Sequence, residues 1–247
     1  MTSLKVAARS PWVYLAAVLV IAGLWAWTRR LPRWWFDIPE SLRLQTLQGL
    51  VLITAAETTA LHLDLFCNLT QMKPEQLVSF RPIPQQTVRQ IHAKVRTQSA
   101  HQSQQKGLAF FVFRGDELVG SMGFSRLDPM TSSGELDLVI HKQYWDDGWA
   151  QDLHLSVLDY GFDNLRLHRI LCGVDRSNRL VRTFYENLHF NLVSVGRAGS
   201  PNMYNYVITR QKYLEETRSS LVEGAMKIVI NEAKPSNNNT QRLHTST

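Results

Sequence analysis

At 247 residues, with 44% apolar and 19% charged side chains, the chain is long enough for one large domain or two small ones and too apolar for a disordered protein. Its only cysteines, Cys67 and Cys172, are far apart, which argues against a disulfide framework and fits a reducing compartment. The net charge of +6 has an address: between Glu75 and Asp116 there is no carboxylate, only Arg81, Arg89, Lys94, Arg96, Lys106 and Arg114. That stretch suits an anionic lipid, ligand or partner, or equally a solvated helix face, and it carries no nucleic-acid-binding motif.

Residues 1–9 form a short N-terminal segment, and residues 10–28 carry no charge. As a helix this run spans about 28 Å, close to the hydrocarbon thickness of a bilayer. Trp12 and Tyr14 mark one end and Trp25, Trp27, Trp34 and Trp35 the other, as an aromatic belt does. Lys5 and Arg9 precede the run, and Arg29, Arg30 and Arg33 follow it. The pattern predicts a single-pass transmembrane helix with the bulk of the chain cytoplasmic. A cleaved signal peptide is the rival reading, but Leu24, Trp25 and Trp27 crowd the place where small residues would be needed.

A linker at 29–45 contains Pro32 and Pro39. Leu47–Thr54 then predicts a strand and Ala55–Asn68 a helix. Pro82 and Pro84 break the chain before a polar helix at about 85–99. Leu108–Phe113 and Leu118–Phe124 read as a hairpin turning at Gly115. In the next strand, Ser132–Ile140, Leu136, Leu138 and Ile140 fall on one face and Glu135, Asp137 and Val139 on the other. Gly148–Phe162 is apolar nearly all round and predicts a buried helix. Arg169–Val174, Asn178–Leu188, Asn191–Val195 and Met203–Ile208 complete a strand, a helix and two strands. Residues 213–247 read as a helix and partly disordered tail. This order predicts an α/β (α+β) fold, a mixed sheet with helices on both faces.

The stretch Gln143–Ala150 links a strand to a helix through a glycine turn. The first turn of a helix has unpaired N–H groups, and its dipole favours an anion such as a phosphate. Gly148 and Ala150 would let a ligand approach the backbone. The histidines show no metal spacing, and neither a nucleophile elbow nor a phosphate loop is present; no metal site is expected. Asn68-Leu-Thr70 and Asn238-Asn-Thr240 match the glycosylation pattern, which a cytoplasmic domain leaves unused.

Gly134-Glu135-Leu136, the turn Tyr144-Trp145-Asp146-Asp147-Gly148-Trp149-Ala150, Leu167-His168-Arg169-Ile170, Asp175 with Asn178, and Phe184-Tyr185-Glu186-Asn187-Leu188-His189-Phe190 together resemble motifs of the GNAT superfamily of acetyl-CoA-dependent N-acetyltransferases. The branch is that of ribosomal-protein N-terminal and small-molecule amine acetyltransferases. The resemblance covers residues 46–212 and implies a mostly antiparallel six- to seven-stranded sheet flanked by helices. It implies that the amides of Asp147, Gly148, Trp149 and Ala150 hold the pyrophosphate of acetyl-CoA. The backbone of Leu138, Val139 and Ile140 would take the pantetheine arm, with Asn178 contacting it. It also implies that Tyr185 protonates the departing thiolate and that Glu135 is the base for a directly attacking amine. Tyr185 could instead be a packed core tyrosine, Glu135 an exposed carboxylate or the partner of an arginine, and Asn178 a helix cap.

Three positions depart from the family pattern. Asp146 replaces the first turn glycine and Asp147 follows it, so two carboxylates either repel a diphosphate or cap the helix. His189 stands for a glycine and Val181 for a small residue. The expected protein is therefore a membrane-anchored N-acetyltransferase acting on a protein N-terminus or a small amine. The alternative is a catalytically degenerate module of the same fold that binds or scaffolds at the membrane.

Overall fold

The computed structural model of the chain describes residues 36, 38–84, 86–146, 148–196 and 201–218. The expected membrane helix at 10–28, the tail beyond 218 and Asp147 lie outside the described residues. Among those described, no helix is long and apolar enough to cross a membrane.

The strands are β1 (Arg43–Gln45), β2 (Val51–Thr54), β3 (Leu77–Ser79), β4 (Leu108–Arg114), β5 (Glu117–Asp128), β6 (Ser133–His141), β7 (Arg169–Asp175), β8 (Asn191–Val195) and β9 (Met203–Thr209). The longer helices are α1 (Ala60–Thr70), α2 (Val88–Ser103), α3 (Trp149–Asp159) and α4 (Arg179–Asn187). They form a 9-stranded sheet in the order β1-β2-β4-β5-β6-β7-β9-β8, with β3 joined to β6 off that path. Every pairing is antiparallel except β6 with β7.

The sheet thus has two more strands than expected. The expected strand at 47–54 is the second half of a hairpin: β1 pairs with β2, Arg43 facing Ile53. Both added strands, β1 and β3, are three residues long, too short for a periodic apolar signal. The structured unit also starts before residue 46 and runs past 212. Phe36, Ile38, Leu42 and Leu44 are buried, and the Gln102 and Gln105 amides bond to Ile38, Pro39 and Glu40 backbone. At the other end, Tyr213 stacks on Phe162 and donates to Asp159 Oδ1 at 2.9 Å.

Apolar side chains fill both faces of the sheet. One core joins Leu136, Leu138 and Ile140 to α3, α4 and Tyr213. The other packs Phe66, Ile91 and Val95 of α1 and α2 over Phe111, Phe113 and Val139. Reciprocal capping boxes, Thr59 with His62 and Thr87 with Gln90, start α1 and α2. Asn178 caps α4, its Oδ1 accepting from Val181 N at 3.2 Å. His189 has φ +62°, which explains why a glycine suits that position; Val181 is fully buried in the core. Cys67 and Cys172 are free and buried.

Candidate active site

β6 and β7 run parallel only from Ser133 beside Arg169 to Leu136 beside Cys172. Beyond that point β7 continues against β9, and a fork opens between the strands. The parting leaves a row of β6 N–H and C=O groups that need partners. The chain supplies them itself. β5 pairs one edge of this stretch, Gly120 facing Ile140, and β3 pairs the other, with Leu77 facing His141, Val78 facing Ile140 and Ser79 facing Val139.

The next residues bind the opposite prong. The Phe80 carbonyl accepts from Asp175 N at 2.8 Å, and Asn178 Nδ2 donates to the Ser79 carbonyl at 2.8 Å. Asn178 thus caps α4 and holds β3 with one amide. The backbone of Leu138–Ile140, expected to meet a cofactor arm, lies in the fork with β3 against it.

Two hollows flank this segment. One of about 230 Å³ runs along Glu135–Val139 and is walled by Arg81, Lys94 and Ser125. The other, about 240 Å³, lies beside Asp175, Ser177 and Asn178. Both are walled by Ser79, Arg81, Pro82 and Ile83. Pockets for drug-sized ligands are about 300–1,000 Å³, so neither hollow alone takes a whole nucleotide coenzyme.

The strand-to-helix turn has the expected form. Gly148 adopts φ +81° as the residue before α3, a left-handed conformation that favours glycine. A Cβ there would lie 2.8 Å from Gln48 Nε2. The carboxylate of Asp152, in the first turn of α3, accepts from Leu47 N at 3.2 Å and Gln48 N at 2.7 Å, fixing the β1–β2 turn against the helix start. Arg114 lies over Trp149, 4.9 Å from the ring centroid, and over Tyr144 at 5.7 Å. Ala150 is fully buried, and Asp146 is exposed.

The two expected acid–base groups are differently engaged. Glu135 meets Arg81 at 3.1 Å through Oε1 and Arg126 at 3.3 Å through Oε2. A register shift in β5 between Phe124 and Arg126 brings Arg126 opposite Glu135. Both carboxylate oxygens are therefore tied to guanidinium groups, the arginine-partner alternative.

Tyr185 is 0% exposed. Its ring packs edge-on against Phe80, Phe184 and Phe190. His154 Nδ1 lies 2.6 Å from the Ala150 carbonyl, so that nitrogen carries the proton. Its Nε2 then accepts from the Tyr185 hydroxyl at 2.8 Å. Burial, and next the neighbouring Cys172 and Asp137, push the Tyr185 phenol well up; burial pushes His154 down to about 4 against the Ala150 bond. In this conformation Tyr185 is a packed core tyrosine, its hydroxyl bonded to a neutral histidine and its ring covered by Phe80.

Sequence reasoning missed His154 and the Leu77–Phe80 segment. His154 sits in an otherwise apolar helix, and a lone polar residue on a buried face needs a partner; that was the available signal. β3 carried none beyond Leu-Val before the Pro82 and Pro84 breaks. Of the basic stretch, Arg81, Lys94 and Arg114 belong to the site, while Arg89 and Arg96 are exposed on α2. Among the described residues, no three or more His, Cys, Asp or Glu side chains are placed to hold a metal.

Residues 50–191 match the family model of the acetyltransferase (GNAT) domain. An uncharacterized N-acetyltransferase, p20, from Bacillus licheniformis is 29% identical over 77 residues, 31% of this chain and 43% of its own. The match therefore spans under half the length of that relative. Among solved structures, RimJ of Mycobacterium smegmatis in complex with CoA-disulfide superposes with a TM-score of 0.60 at 15% identity, over 75% of this chain and 94% of its own. Mutant forms of the spermidine/spermine N-acetyltransferase SpeG from Vibrio cholerae give 0.54 at 21% identity, over 69% and 98%. These likenesses are of fold.

Proposed function

The chain belongs to the GNAT acetyltransferase family, and from that premise we propose that it is an acetyl-CoA-dependent N-acetyltransferase acting on a primary amine. The observation that carries the reading is the β6–β7 fork, which ends in the Gly148 turn at the head of α3. An extended arm with amide groups pairs with a strand edge as a peptide does, and the turn offers backbone donors to a diphosphate. The residues present fit acetyl-CoA at the turn and along β6, provided that β3 yields the edge.

Acetyl-CoA, when bound, supplies an activated acetyl group. The chain's part is to bind, orient and exclude water. Orienting two reactants is worth several kcal/mol on its own, so the reading does not require Tyr185 or Glu135 as proton carriers. Direct attack by the amine is favoured over an acyl-cysteine, because Cys67 and Cys172 are buried and burial pushes both thiols up.

Charge bears on the acceptor. Around the Glu135–Val139 hollow, Arg81, Lys94 and Arg126 face Glu135 and Asp137. A cationic surplus repels a polyamine, with its several positive charges, more than a protein N-terminus with one. The charge-free run at 10–28 supports a membrane tether that keeps the domain on the cytoplasmic side. Thiol release from acetyl-CoA, measured with peptide N-termini, spermidine and an amino sugar, tests the reading. Turnover with peptides is expected, and silence across the panel sinks it. For the tether, deletion of residues 10–28 is expected to move the protein from the membrane to the soluble fraction; an unchanged distribution contradicts it.

Two observations favour a second reading, a non-catalytic module that keeps the fold: β3 lies where the arm would run, and Asp146 adds a charge at the turn. In that case acetyl-CoA binds neither the wild type nor variants that loosen β3.

A further inference from the structure

We propose that Leu77–Arg81 is a resident competitor of the acetyl-CoA arm, holding the β6 edge and covering Tyr185 until it withdraws. This rests on the reading of the fork as the acetyl-CoA site.

The segment spans the fork from prong to prong. Three backbone pairings join it to Val139–His141 on β6. The Phe80 carbonyl and the Ser79 carbonyl take bonds from Asp175 N and Asn178 Nδ2 on the other side. Phe80 is buried and meets the Tyr185 ring edge-on, with centroids 5.3 Å apart. The strand therefore offers β6 what an amide-bearing arm would, an extended backbone with alternating donors and acceptors on one edge.

Such an exchange is close to balanced in hydrogen bonds. The β6 amides are paired whichever occupant is present, and only an edge left bare would carry the full cost of unpaired groups. The restraints that resist withdrawal are few. β3 is three residues long. The Arg81–Glu135 ion pair has a 58% exposed guanidinium and so contributes little. The segment is flanked by the short Pro74–Gln76 turn and by the exposed Pro82 and Pro84 before α2, which gives slack on both sides. Phe80 is the deepest anchor, with Leu77 and Val78 also buried, one in each core. Its departure would open Tyr185 to the fork and merge the hollows on either side, because both are walled by Ser79 and Arg81–Ile83.

When only a fraction of molecules is open, the apparent affinity for the ligand falls by that fraction. The test is backbone amide exchange of the full-length protein, with and without coenzyme A, together with calorimetry on Arg81→Ala and Phe80→Ala. Without ligand, Leu77–Phe80 and Val139–His141 should both exchange slowly. With coenzyme A, Leu77–Phe80 should exchange about tenfold faster or more while Val139–His141 stays slow. Coenzyme A should bind Arg81→Ala about threefold tighter and Phe80→Ala about tenfold tighter than wild type. Binding seen only in the variants also supports the proposal. Arg81→Ala and the wild-type exchange decide the matter should Phe80→Ala fail to fold. Coenzyme A bound with Leu77–Phe80 still protected, and equal affinities in the folded variants, overturn the competitor while leaving the acetyltransferase reading intact. No binding by wild type or either variant at millimolar coenzyme A removes both.

Discussion

Asn178 Nδ2 donates to the Ser79 carbonyl at 2.8 Å, while Oδ1 of the same side chain caps α4 through Val181 N. The family pattern gives this asparagine to the cofactor arm; here its amide is satisfied by the strand lying along β6. On the proposed exchange the same donor would serve either occupant, because the cap holds it aimed into the fork.

His154 makes stability fall in mild acid. Burial holds its pKa near 4, against an ordinary value of 6.5, so between those values the unfolded chain binds a proton that the folded chain refuses. Stability is then full above about pH 6.5 and declines as the pH falls towards 4, by up to about 3 kcal/mol. Urea midpoints at pH 7.5, 5.5 and 4.5 should show the decline, and His154→Gln should flatten it.

Replacing Tyr185 by Phe removes the hydroxyl bonded to His154 and leaves Nε2 buried without a partner. A loss of about 1–2 kcal/mol in unfolding free energy is expected. Turnover should drop by less than about tenfold, whereas a general acid is worth about 10²- to 10⁴-fold. Steady-state rates at saturating substrate, corrected for the folded fraction, separate the two.

At Gly148 the backbone has φ +81°. Gly148→Ala should cost about 1–2 kcal/mol, the penalty for a left-handed non-glycine residue. Calorimetry should also show weaker acetyl-CoA binding, because the turn and the head of α3 shift together. The added Gln48→Ala substitution, which clears the nearby Nε2, should not restore stability, since the strain is in the backbone.

Asp146 is exposed at the same turn, so its repulsion of a diphosphate is screened. Asp146→Gly should tighten acetyl-CoA binding by about fivefold in low salt, equivalent to about 1 kcal/mol. In 0.5 M salt the gain should shrink to near nothing. An equal gain at both salt concentrations would assign the effect to backbone freedom instead of charge.

Much of the frame was legible in the residues. The alternation of Glu135–Ile140 marked β6, the apolar run after Gly148 marked α3, and Asn178 marked the start of α4. These signals are local and periodic. β3 was not legible, because three residues carry no period and its pairing with β6 joins positions about sixty residues apart. The partners of Glu135 were equally hidden. Arg81 comes from the loop after β3 and Arg126 from a bulged strand, and neither spacing can be read along the chain. Tyr185 looked like a site residue from its motif, but its hydroxyl is directed by His154, a turn-and-helix neighbour that no motif named.

Titration calorimetry of acetyl-CoA into the full-length protein and into Arg81→Ala tests most directly whether the fork is a coenzyme site. The account predicts saturable binding below millimolar ligand, one molecule per chain, tighter in the variant, with a matching rise in melting temperature. No heat and no thermal shift in either protein at millimolar acetyl-CoA would contradict it.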